Sequence, residues 1–253
     1  MRYSLAVFLL LTLITGCSSS SQPGADAAKT ASAEEMYKEA KTALNEESYE
    51  SAIKLFESLQ SRYPYGRYAQ QAQLEIAYAY YKQNEVESAI SAADRFIKQY
   101  PNSQHVDYAY YLKGLANFHG ETGMLGFSGD PTERDPKAAQ DSFAAFKDLV
   151  ARFPGSKYVP DARLRMQYLI NALAKYEIHV ASYYQRRGAH IAAVNRAKEV
   201  LTEYPNSPAT RDALQILVQS YAAMGMKVLH DDAQRVLDKN SLRDAAAPAM
   251  KNN

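Results

Sequence analysis

The chain has 253 residues, a formal net charge of +1, one cysteine, 20 tyrosines and no tryptophan. Such a balanced charge gives no case for nucleic-acid binding, and the scarcity of Val-Ile-Thr runs with a period of two excludes an all-β fold. Ala, Leu, Glu, Lys, Gln and Arg dominate, a helix-forming palette, and the length suits one large domain or a stack of small units.

Residues 1–16 read as a removed signal peptide. Arg2 supplies a positive start, Leu5 to Ile14 an apolar run, and Thr15-Gly16 the small residues before a cut at Cys17. The apolar run is far shorter than the roughly 20 residues of a membrane-spanning helix. Removing Arg2 brings the formal charge from +1 to zero. Cys17 is then the lipidation site: its thiol takes a diacylglycerol, and its freed α-amino group takes a further acyl chain. Each buried methylene adds roughly 0.8 kcal/mol, and more than one chain makes the anchor stable. No thiol remains for metal, redox or nucleophilic work, and no cofactor is expected beyond this covalent lipid. The alternative is an ordinary secretory signal beside a stray cysteine. Ser18 follows Cys17, where the enteric-type rule for inner-membrane retention requires aspartate, so the expected location is the periplasmic face of the outer membrane. Residues 17–32 carry almost no apolar bulk and read as a flexible tether.

From there four aromatic-proline pairs punctuate the chain: Tyr63-Pro64, Tyr100-Pro101, Phe153-Pro154 and Tyr204-Pro205. Three continue with Asn-Ser or Gly-Ser, turn chemistry after an amphipathic helix that proline stops. Tetratricopeptide repeats place a small residue about twelve before such a proline and a bulkier one about eight before it. Pro64 has Ala52 and Phe56; Pro101 has Ala89 and Ala93, with Phe96 three further on. Pro154 has Ser142 and Phe146, and Pro205 has Ala193 and Ala197. The preceding helices supply Ala77 and Tyr80, Gly114 and Asn117, and Ala181 and Tyr184. A fifth unit occupies residues 209–240, with Tyr221 and Gly225 in place. The pattern predicts an all-α fold of five helical hairpins stacked as a superhelical solenoid.

Two intervals between the prolines exceed the repeat length. Residues 119–136 hold Gly120, Gly123, Gly126 and Gly129 and read as a loop inserted within the third repeat. Pro160-Asp161 starts a helical pattern that runs to Arg187, with Gly188 as its stop. At about 1.5 Å per residue this helix is near 40 Å long and links the third and fourth repeats. The expected division is repeats one to three in 33–157, repeats four and five in 158–243, and a fraying tail in 244–253.

Candidates for catalysis are weak, and the chain reads as a non-enzyme. Gly126-Phe127-Ser128-Gly129-Asp130 lacks the last glycine of G-x-S-x-G and has no preceding strand. His105, His119, His179, His190 and His230 form no H-x-x-x-H pair and have no cysteine partner, which argues against zinc. Asp130, Glu133 and Asp135 are interrupted by Pro131 and Arg134, unlike a calcium loop. No metal site is expected.

Surface is the more informative feature. In a tetratricopeptide stack the first helices line the concave face, at positions three before and one and four after their small residue. Around Ala77 these are Leu74, Tyr78 and Tyr81; around Gly114 they are Tyr111, Leu115 and Phe118. Together they suggest an aromatic peptide groove, the alternative being that some of the rings pack on a neighbouring repeat. Residues 33–60 hold seven acidic and three basic side chains, whereas residues 161–200 hold seven basic and three acidic. Most are solvated helix faces, but Arg186, Arg187, Arg196 and Lys198 gather around one hairpin and suit an acidic partner.

The lipobox, the five units and the strings Tyr63-Pro64-Tyr65-Gly66, Ala77-Tyr78-Ala79-Tyr80-Tyr81-Lys82, Asp94-Arg95-Phe96-Ile97, Arg134-Asp135-Pro136 and Ala174-Lys175-Tyr176-Glu177 closely resemble the BamD (ComL/YfiO-like) family. These are lipoproteins of the outer-membrane β-barrel assembly (BAM) machinery, and the resemblance covers nearly all of the mature chain. It implies a scaffold whose rear repeats bind the last periplasmic domain of BamA and whose front repeats receive unfolded outer-membrane proteins. Other lipoproteins of the machinery bind along the body. Arg196 and Asn195, with Arg186 and Arg187, are then the BamA-facing residues. Leu74, Tyr78, Tyr81, Tyr111, Leu115 and Phe118 would take the C-terminal aromatic signals of clients. The alternative reading is a periplasmic repeat lipoprotein that scaffolds peptidoglycan-remodelling enzymes.

Overall fold

A computed structural model describes residues 31–122 and 136–246. Among them are ten helices and no strand: α1 (Ala33–Asn45), α2 (Tyr49–Arg62), α3 (Arg67–Lys82), α4 (Val86–Gln99), α5 (Val106–Thr122), α6 (Lys137–Arg152), α7 (Val159–Arg186), α8 (His190–Glu203), α9 (Thr210–Ala223) and α10 (Lys227–Ala246). Each packs on the next along the chain, and α1 touches α3, α3 touches α5, and α7 touches α9. This is a tetratricopeptide-type solenoid of five hairpins, as the spacing predicts.

Local chemistry sets the element ends. Ser32 and Glu35 form a capping box at α1: the Ser32 Oγ accepts the Glu35 N–H, and Glu35 accepts the Ser32 N–H. Four hairpin turns share one bond, in which Ser48, Glu85, Ala189 and Met226 donate their N–H to the carbonyls of Ala43, Tyr80, Tyr184 and Tyr221, each at 2.9 Å. That six-to-one closure needs one residue in the left-handed region. Gly188 and Gly225 supply it in the rear repeats, Glu47 and Asn84 in the front ones.

The second helices end alike. Tyr63, Tyr100, Phe153 and Tyr204 adopt φ between −126° and −129° and donate their N–H four residues back. The following proline disfavours helical backbone at the residue before it and cannot donate. After three of these prolines, Ser103, Ser156 and Ser207 bond back to the aromatic's carbonyl, and Val106, Val159 and Thr210 bond in turn to each serine's carbonyl. The sequence repeat is therefore a repeat of hydrogen bonds.

The register counted back from proline holds throughout. Ala52, Phe56, Ala89, Ala93, Phe96, Ser142, Phe146, Ala193 and Ala197 are all at 0% exposure. The closest approach lies between α5 and α6. A Cβ added at Gly114 would sit 2.4 Å from Cε1 of the buried Phe146, and Ser142 Oγ donates to the Gly114 carbonyl at 3.0 Å.

The long helix α7 spans 28 residues and starts one residue before the predicted Pro160. Ala162, Leu169 and Leu173 pack with Ala139, Phe146 and Leu149 of the third repeat, whereas Ala174 and Ala181 pack with Ala193, Ala197 and Leu217 behind it. The expected boundary at 157/158 thus falls within a packed junction. Tyr111 stacks on Tyr158 with ring centres 4.6 Å apart and donates its hydroxyl to Asp161 Oδ2 at 2.7 Å. Arg165 Nε donates to the same oxygen at 2.6 Å, and its guanidinium lies over Phe118.

Burial acts to raise the Asp161 carboxyl, yet hydrogen bonds from Arg165 and Tyr111 outweigh it and hold it below its ordinary 3.8. Burial and Asp161 push the Tyr111 hydroxyl up to about 12.

Three outcomes follow from this packing. Gly114→Ala should lower the unfolding free energy by about 1–3 kcal/mol through overpacking, with Gly114→Ala/Phe146→Leu recovering part of it in chemical denaturation. The Asp161 bonds stabilise the fold above the ordinary carboxyl value and are lost as pH falls through the lowered one. Asp161→Asn should therefore flatten the acid limb of a stability-against-pH curve, and Tyr111→Phe should cost about 1 kcal/mol at neutral pH.

Candidate partner-binding surfaces

The front surface is built on the first helices. Glu75, Tyr78 and Lys82 follow one another at intervals of three and four and share a face of α3. With Lys41, Tyr49 and Tyr108 they line an open cleft of about 520 Å³. Tyr37 and Lys41 both donate to Glu75 Oε1, at 3.1 and 2.9 Å, tying α1 to α3 beneath the cleft. Burial, and then the Tyr158 hydroxyl, push the Tyr108 hydroxyl well above its ordinary value, so it is a neutral donor here. Tyrosine side chains, a phenol hydroxyl and charges of both signs therefore line the cleft, with Lys82 lying over the Tyr49 ring.

The six residues predicted for the groove do not share one environment. Tyr78 lines the cleft and contacts Tyr81 at 6.4 Å between ring centres; Tyr81 meets His119 edge-on. Leu74 is only 9% exposed and packs with Phe96, Val106 and Ala109, which makes it part of the core. Tyr111, Leu115 and Phe118 pack against the core cluster that joins α5 to α7. Phe118 also meets Tyr168 edge-on at 5.5 Å. The reason is the long helix: Tyr158 at its N-cap, with Arg165 and Tyr168 of α7, lies where an open stack would leave those rings bare.

Sequence spacing missed Tyr108, Tyr49, Lys41, Glu75 and Lys82. The three-and-four periodicity from Glu75 through Tyr78 to Lys82 was the signal available for the α3 residues. For Tyr49, Lys41 and Tyr108, only the superposition of hairpins brings the side chains together. A second open cleft is lined by Gln60, Pro64, Tyr65, Gln73 and Arg95. Tyr65 there is 91% exposed, and the Nε2 of buried Gln73 has no hydrogen-bond partner among the described residues.

At the rear, Arg186, Arg187 and Asn195 are exposed, and Arg187 lies over the Tyr183 ring at 5.2 Å. Arg196 stands apart from them. Its Nη1 donates to Glu177 Oε2 at 3.2 Å and approaches Glu199 Oε2 at 3.7 Å. Glu177 makes the guanidinium still harder to deprotonate. The Glu177 side chain is 10% exposed. Burial, then the charge of Glu199, raise its carboxyl above the ordinary value against the pull of Arg196. Ile191, four residues before Asn195 on the same helix face, is 67% exposed.

Cys17, Ser128, Asp130, Glu133 and Asp135, with the tether to residue 30 and the tail from residue 247, lie outside the described residues. Among the described residues no three His, Cys, Asp or Glu side chains gather as a metal site. No described helix is long and apolar enough to cross a membrane.

Residues 29–236 match the family described as YfiO, outer membrane lipoprotein. Over 211 residues, 83% of this chain and 79% of the relative, the sequence is 44% identical to the outer membrane protein assembly factor BamD of Neisseria meningitidis serogroup A. It is 39% identical to the BamD of Xylella fastidiosa strain Temecula1, over 94% of this chain and 80% of that one. It is 36% identical to the BamD of Vibrio cholerae, over 96% of this chain and all of that one. The name these relatives share is that of an assembly factor for outer membrane proteins, not of an enzyme. A family match across most of the length, with relatives this similar over nearly all of the described repeats, shows that the chain belongs to the YfiO family of outer membrane lipoproteins, the BamD assembly factors.

Proposed function

We propose that this chain is a lipid-anchored, non-catalytic adaptor of the BAM machinery, which binds unfolded β-barrel clients with its front repeats and BamA with its rear repeats. The similarity to BamD assembly factors over most of the chain carries this reading. The two surfaces support it. The front cleft gathers Tyr49, Tyr78 and Tyr108 with Lys82 and the Lys41–Glu75 pair, a mixture of aromatic and cationic groups suited to an extended segment ending in an aromatic residue and a carboxylate. The rear hairpin carries Arg186, Arg187 and Arg196, suited to an acidic protein surface. Recognition then proceeds by burial and ion pairing, with no covalent step on the client, and release accompanies transfer to the barrel-forming subunit.

Cys17 would hold this adaptor at the inner face of the membrane that receives the barrels. The lipid supplies local concentration, and the two protein surfaces supply orientation.

A photo-crosslinking residue at position 78, placed in living cells, should capture the C-termini of outer-membrane proteins. The same residue at position 111, packed against Tyr158, should capture far less; no capture at 78 would sink the client-binding role. Cys17→Ala should lose the label from a radioactive fatty acid and slow barrel assembly, while the purified repeats keep their melting temperature. Retention of the label would rule out Cys17 as the anchor.

A further inference from the structure

Arginine carries five N–H donors in a rigid fork, and Arg196 spends only Nη1 on its own chain. No hydrogen bond from its Nε or Nη2 is made among the described residues, and its side chain is 42% exposed. Glu177, which holds that one nitrogen, belongs to α7 and is buried, so the arginine is anchored across two helices of a hairpin. Around this pair stand Glu199 on α8, which adds a second carboxylate at 3.7 Å, and the half-buried Tyr184 on α7 and Tyr204 after α8.

Fold stability does not account for the buried carboxylate. Its raised value in the folded chain means that the ionised form weakens the fold at neutral pH: stability linked to this group is complete below the ordinary carboxyl value and is lost as pH rises through the raised one. A well-packed apolar side chain often serves at least as well at such a position.

We propose that Glu177 is a positioning residue for partner recognition: it grips Arg196 by one nitrogen, so that the rest of the guanidinium edge meets a carboxylate on an acidic partner already ordered. The proposal rests on the reading that Arg196 faces BamA. An arginine held in this way loses less rotamer freedom on binding, and the side-chain ordering avoided corresponds to about a three- to tenfold change in affinity.

The test uses wild type, Glu177→Leu, Arg196→Ala and the double variant, with affinity for the purified periplasmic region of BamA and the melting temperature read for each. Glu177→Leu should bind about three- to tenfold more weakly with an unchanged or higher melting temperature. Arg196→Ala should bind more weakly still and melt lower, because it leaves a buried carboxylate without its cation. The double variant should regain the melting temperature and bind no better than Arg196→Ala. Glu177→Gln, which keeps the shape and drops the charge, should shift affinity in the same direction as Glu177→Leu and covers the case in which the leucine chain folds poorly. Wild-type or tighter binding by both Glu177 variants, with Arg196→Ala still impaired, overturns the positioning role and leaves Arg196 at the interface. Wild-type binding by Arg196→Ala overturns the interface reading itself, and the positioning role with it.

Discussion

The close approach of two helices at a residue with almost no side chain is the constraint on which this molecule depends. At Gly114 the tolerance is smallest, since the ring of Phe146 occupies the space a Cβ would need. The other hairpins meet the same demand with alanine at 0% exposure. Once the helices are that near, Phe56 and Phe146, four residues after Ala52 and Ser142 of the second helices, are fully buried and close the hairpin. The aromatic-proline stop then sets where the next helix begins. An error at the small residue would spread through all of these, because each hairpin is the floor on which its neighbour packs.

That mode of stacking also decides what is left for partners. Tyrosines 78, 80, 108, 110 and 204 each pack against two core clusters, so much of the aromatic content is spent on joining repeats. The surface they border is mixed in character: tyrosines beside lysine and glutamate in the front cleft, exposed arginines and an exposed isoleucine at the rear. Such surfaces suit transient engagement better than permanent burial. The two regions are tied by α7, whose first half belongs to the third repeat's core and whose second half belongs to the fourth.

Two carboxylates of α7, one half-exposed and one buried, are each paired with an arginine. Asp161 is held ionised by Arg165 and Tyr111 and fastens the front repeats to α7. Glu177 is held at a disadvantage to its own ionisation and keeps company with the one rear arginine that is half committed to its own chain. Both carboxylates belong to α7, but the first pairs within that helix and the second reaches across to α8.

The primary structure determined the helical class, the five hairpins, the ends of nearly every helix and the buried register, because these depend on local backbone rules that proline, glycine and small residues obey wherever they occur. Ala52, Ser142 and Ala197 could be assigned to the interior by counting back from a proline. It also carried enough specific strings, such as Tyr63-Pro64-Tyr65-Gly66, to point to the family. Tertiary structure alone decided which rings meet the long helix. Tyr81 and Phe118 occupy equivalent positions in successive first helices, yet only the second meets α7, through Arg165 and Tyr168, because a 28-residue helix packs on the third repeat. Likewise the charge excess of residues 161–200 is visible in sequence, but the pairing of Arg196 with Glu177 across 19 residues exists only after α7 and α8 have packed. Local rules specify elements and their faces; the neighbour lying against each face is set by the whole stack.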